Sequence, residues 1–167
     1  MHRYLCLFAV MAGLLLPSFC SAQCLPTLPP NPAFVPAIQY PPGGPVNGTF
    51  WYGTDALWTA LSVDGKWKMA NRAKGIVLTT KLVFRGRSFN WHREFEPQLV
   101  VTGKRLDGDA PSIAVTHAHA VFVKGDRPAG TMPPGMMVGL DIPTSGCWEL
   151  TAHYRGQTLT FVVSVEP

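Results

Sequence analysis

Cys147-Trp148-Glu149-Leu150-Thr151-Ala152-His153-Tyr154-Arg155-Gly156-Gln157-Thr158-Leu159-Thr160-Phe161-Val162-Val163-Ser164-Val165 is the stretch that decides the fold. Its second half alternates. Leu159, Phe161, Val163 and Val165 fall on one side, and Thr158, Thr160, Val162 and Ser164 on the other. A period of two marks a strand with one packed face and one half-wet face. Cys147 to Tyr154 is a second run of the same kind. The two are joined about Arg155-Gly156-Gln157, so the pair is expected to be a β-hairpin.

Upstream, short apolar runs alternate with turn signals. Thr49 to Tyr52 is aromatic, and Ala56 to Val63 ends at Asp64-Gly65, a strong turn dipeptide, with Trp67 beyond it. Gly75 to Phe84 is rich in Ile, Val, Leu and Thr, and Phe89-Asn90-Trp91 is a candidate short strand. Leu99 to Leu106 closes at Asp107-Gly108-Asp109. Ile113 to Val123 is the longest clean strand and closes at Lys124-Gly125-Asp126; Met136 to Ile142 comes next. No long segment repeats its apolar positions at helical spacing. The expectation is an all-β chain: an immunoglobulin-like antiparallel β-sandwich of about seven to nine short strands over residues 48–167.

Residues 1–22 have the order of a secretory signal peptide. Arg3 supplies a positive start, Leu5 to Leu16 an apolar run, and Cys20-Ser21-Ala22 small residues before a cut. The run is too short to span a bilayer, which takes about 20 residues. An uncleaved anchor or a lipoprotein signal at Cys20 or Cys24 are the rival readings. No later segment is expected to cross a membrane. Residues 23–47 are a Pro-rich linker or strap, with eight prolines between Leu25 and Val46. Proline fixes φ and removes a donor, so this stretch is neither helix nor central strand.

Cys6 and Cys20 lie in the signal, which leaves Cys24 and Cys147. Two cysteines in an exported chain point to a disulfide, with a pair of free thiols as the alternative. The formal charge of +4 is spread thinly. Without an Arg/Lys stripe and interleaved aromatics, nucleic acid is not an expected partner.

The tail Ser145-Gly146-Cys147-Trp148-Glu149-Leu150-Thr151 with Leu159-Thr160-Phe161-Val162-Val163, and the opening Phe50-Trp51-Tyr52-Gly53 with Ala56-Leu57-Trp58, resemble a group of exported bacterial immunoglobulin-like proteins of uncharacterised function. The resemblance covers about the last 120 residues. It implies the sandwich fold and a bacterial envelope location, and it brings no catalytic residues.

Two constellations could carry chemistry. His117 and His119 lie two apart on an expected strand and would project together. With Met136 and His92 they form a candidate copper or zinc set, since imidazole and thioether ligands together suit copper. The plainer reading puts the histidines on a solvated face and the methionines in the core. Trp51, Tyr52 and Trp58 form a candidate aromatic binding surface, although large rings more often fill a core. Trp91-His92-Arg93-Glu94 reads as a solvated turn, and Asp107 and Asp109 as turn residues. No nucleophile elbow, phosphate-binding loop or dinucleotide fingerprint occurs. The expected role is therefore a secreted or periplasmic, non-enzymatic binding or structural module. It would need no cofactor and would engage a protein or glycan of the cell envelope. The alternative is a periplasmic metal-binding protein using His117 and His119.

Overall fold

Arg155 and Gly156 both take positive φ, 48° and 75°. Two successive residues of that kind make the tight turn whose twist matches a β-hairpin. The strands it joins are β9 (Gly146–Tyr154) and β10 (Gln157–Glu166), and Gln157 pairs with Tyr154. The turn is thus two residues long, one shorter than the sequence indicates.

The structure is a computed structural model that describes residues 24–37, 45, 47–68, 78–121 and 134–166. The expected signal peptide and the Lys124-Gly125-Asp126 turn lie outside them. Upstream of the hairpin are β1 (Thr49–Thr54), β2 (Leu57–Ser62), β3 (Lys66–Lys68), β4 (Leu78–Arg85), β5 (Val100–Arg105), β6 (Ala114–Val115), β7 (His119–Val121) and β8 (Gly135–Ile142). They form two sheets, and the domain is an all-β sandwich. One sheet runs β1-β2-β4-β8-β6, with β7 also on β8; the other runs β3-β10-β9-β5. All pairings are antiparallel except β3 with β10.

Alternation places the core. Leu159, Phe161, Val163 and Val165 of β10 are buried, as their period-two spacing predicts. Trp148, Leu150, Ala152 and Tyr154 of β9 lie beside them. Facing them are Leu57 and Leu61 of β2, Leu82 and Phe84 of β4, and Met136, Val138, Leu140 and Ile142 of β8. At the open side Tyr52 closes the gap: its ring meets Phe161 edge-on at 6.4 Å and its hydroxyl donates to the Thr160 carbonyl.

Two expected strands come out differently. Phe89-Asn90-Trp91 is a turn: the Phe89 N–H donates to the Gly86 carbonyl, and the Asn90 side chain accepts from the His92 N–H. That local bond competes with any ladder. Ile113 to Val123 is not one strand. Val115 pairs with Leu140 and His119 with Met137. Residues 116–118 therefore oppose only Val138 and Gly139, and the extra residue is a β-bulge. Thr116 holds it: its N–H donates to the Gly139 carbonyl, and its hydroxyl accepts from the Gly139 N–H at 2.8 Å.

The described part of the Pro-rich segment, residues 24–37, is a strap. Cys24 is bridged to Cys147, with their Cα atoms 5.4 Å apart. The Thr27 N–H donates to the Val162 carbonyl, and the Val162 N–H donates to the Thr27 hydroxyl. These bonds occupy the edge of β10 that β3 leaves open, since β3 covers only Ser164 to Glu166. An open strand edge invites pairing with another chain, and the strap covers this one. Farther on, Pro36 is buried and the Ala37 N–H donates to Asp55 at 2.7 Å. Cys147 pairs with Ser164 on the face away from the core. The bridge thus lies outside the sheet, unlike the inter-sheet disulfide of antibody domains. Among the described residues no helix is long and apolar enough to cross a membrane.

Candidate functional site

The side of the β1-β2-β4-β8 sheet that faces away from the core carries the site. Its residues follow from register. Phe84 pairs with Thr59 and Met136 on the core face, so the neighbouring Arg85, which pairs with Trp58, points outward. Trp51 pairs with Ala60, whose strand neighbours Leu61 and Thr59 face the core, so Trp51 shares the outer face. The Arg85 guanidinium lies 4.9 Å from the centre of the Trp51 ring. Gly135 borders it: a Cβ there would sit 2.4 Å from Val83 Cγ1 and 3.6 Å from Arg85 Cγ.

Arg85 is 4 % exposed, and its Nε has no hydrogen-bond partner. No ion pair reaches it among the described residues. Burial alone pulls it down to about 10. It therefore remains a cation at neutral pH, stacked on an indole and short of an acceptor.

The expected aromatic surface is divided. Trp51 is half-buried on the outer face, whereas Trp58 is 5 % exposed and therefore buried. Tyr52 points into the sandwich. Alternation along β1 turns the partly buried Tyr52 toward the core, and Trp58 is buried on the outer face as the strand partner of Arg85. The candidate metal set is divided too. His117 and His119 are both exposed, with Ala118 buried between them. Met136 is fully buried on the opposite side of β8, so it cannot join them. Met137 is the residue paired with His119. His92 sits on a separate turn, its ring 3.6 Å from that of Trp91. Among the described residues no three His, Cys, Asp or Glu side chains converge as metal ligands.

No family model, curated protein or solved structure matches this chain.

A concavity of about 680 Å³ lies at the hairpin end, lined by Thr54, Asp55, Arg87, Ser88, Arg155 and Gln157. Its charges already have partners. Arg87 pairs with Asp55, and Arg155 with Glu94, each at 2.9 Å. Glu94 also accepts from the Tyr154 hydroxyl at 2.8 Å. This network is a latch that ties the 88–94 turn to the hairpin. Burial first, and then the bond to Glu94, push the Tyr154 phenol up to about 12. A pKa raised on folding contributes stability below the unfolded value near 10, and that contribution is lost as pH climbs through the folded value. The domain is therefore expected to lose stability between about pH 10 and 12 through this group. Tyr154→Phe should flatten that slope and cost about 1–2 kcal/mol at neutral pH. Denaturant unfolding on both sides of the window measures both effects.

Arg85 is the residue that the sequence conceals. There it is one of a tight basic pair with Arg87, and nothing local marks it as buried. The only signal is non-local: an arginine ending an apolar strand, with Trp51 and Trp58 on the first two strands.

Proposed function

We propose that this chain is an exported, immunoglobulin-like sandwich of the bacterial cell envelope that binds an envelope protein or glycan and catalyses no reaction. The binding face is the outer side of β1, β2 and β4 around Trp51. One observation carries the reading: a half-buried indole bears a buried arginine whose Nε has no hydrogen-bond partner and which no ion pair reaches among the described residues. Tryptophan and arginine dominate the energetics of recognition surfaces. The disulfide fits an oxidising compartment, as expected of a secreted or periplasmic domain.

Cosedimentation with isolated cell envelopes tests it. The oxidised chain is expected to bind saturably, and Trp51→Ala should weaken binding by about tenfold or more while leaving the fold intact. If the wild-type chain stays in the supernatant, the reading fails.

The alternative is a metal-binding protein. It is favoured by one pairing, His119 opposite Met137 on the outer face, with His117 one bulge away. Copper or zinc would then raise the melting temperature, and His117→Ala with His119→Ala would abolish the rise. An unchanged melting temperature rejects this alternative.

A further inference from the structure

Arg85 is the only charged residue among those described that is buried. The ion pairs among the described residues all lie at least partly in solvent. Leaving a charge buried without a counter-charge costs several kcal/mol, and buried polar groups are nearly always satisfied. Stacking on Trp51 does not satisfy it. A guanidinium over a ring offers its face to the π system and keeps its N–H edge for a planar acceptor. Such an edge matches an oxyanion, which can take two parallel N–H bonds. The acids nearest the hairpin end are committed elsewhere: Asp55 to Arg87, and Glu94 to Arg155 and Tyr154. The arginine stem runs beside Gly135, where any side chain would collide with Val83.

We propose that Arg85, with Trp51 as its stacking wall and Trp58 beside it, is an oxyanion-binding site that accepts a carboxylate or phosphate group of the envelope ligand. The inference rests on the binding-module reading for its physiological partner. It deepens that reading by naming the chemistry the partner must present.

The test uses the full, oxidised chain. Sodium acetate and inorganic phosphate are titrated separately at a constant ionic strength of about 0.15 M, with chloride as the control for screening. Binding is followed by calorimetry and tryptophan fluorescence. One of the two oxyanions is expected to bind saturably at one site and to perturb the indole signal. An acetate response identifies a carboxylate-bearing ligand, and a phosphate response a phosphorylated one. Arg85→Met should reduce the affinity by about tenfold or more without lowering the melting temperature, because it removes an unpaired buried charge.

Two results overturn the proposal: neither oxyanion binds beyond the chloride control, or Arg85→Met binds as well as wild type. Should Arg85→Met fail to fold, Trp51→Leu provides the same comparison, since Trp51 is half-exposed and its loss should weaken oxyanion binding. If envelope binding is lost with Trp51→Ala while both oxyanions are inert, the binding module stands and this site does not. If neither envelopes nor oxyanions bind, both fall.

Discussion

Trp148→Ala is expected to destabilise the domain by about 4 kcal/mol, a large fraction of the 5–15 kcal/mol typical of a folded protein. Trp148 is 1 % exposed and is the largest fully buried side chain. It sits in the middle strand pair of its sheet, opposite Val163 of β10 and Arg105 of β5. Truncation would leave a cavity bounded by strands on both sides, which cannot collapse without breaking two ladders. It would also orphan the Thr144 carbonyl, which accepts the indole N–H at 3.0 Å. Trp148→Phe separates the two contributions. It retains most of the ring volume and loses the hydrogen bond, so its cost should be smaller, about 1–2 kcal/mol. Urea unfolding gives both values, provided the slope with denaturant is unchanged. Equal stability of Trp148→Ala and wild type would show that this ring does not organise the core.

Breaking the Cys24–Cys147 bridge is expected to cost about 2–5 kcal/mol. The closed loop is long, with a sequence separation of 123, so the constraint on the unfolded chain is large. The loss should also have a local signature. Freed at Cys24, the strap would release Thr27 from Val162 and lift Pro26 from Gly65, where a Cβ would sit 2.5 Å from the proline ring. The β10 edge above β3 would then be open to another chain. Two measurements check this: unfolding with and without reductant, and hydrogen exchange at the Val162 amide. Faster exchange at Val162 together with a lowered midpoint is the expected pair. An unchanged midpoint in reductant would mean that the strap stays docked through its hydrogen bonds alone.

The strand set was legible because alternation is local. Leu159, Phe161, Val163 and Val165 announce their face without reference to any other strand. Asp64-Gly65 and Arg155-Gly156 announce turns because backbone conformation there depends on one or two residues. The disulfide followed from counting, since only Cys24 and Cys147 remain once the expected signal is set aside. The Phe89-Asn90-Trp91 misreading has a local cause of a different kind: aromatic β-propensity was outweighed by the Asn90 side chain capping its own turn.

What the sequence by itself determined is therefore the class of the fold, most of its strands and its hairpin. All of these depend on neighbours two to four residues apart. The tertiary structure decided which side each functional side chain takes. In a regular strand His117, His119 and Val115 would share one face. The extra residue at 116–118 reverses that parity, so Val115 packs on the core and His119 faces outward beside Met137. Arg85 meets Trp51 and Trp58 only because β4 pairs with β2, and β2 with β1. Register between strands far apart in the chain is set by the whole pattern of burial, and a slip of one residue moves every side chain to the opposite face. The site belongs to that register, and no local run of residues encodes it.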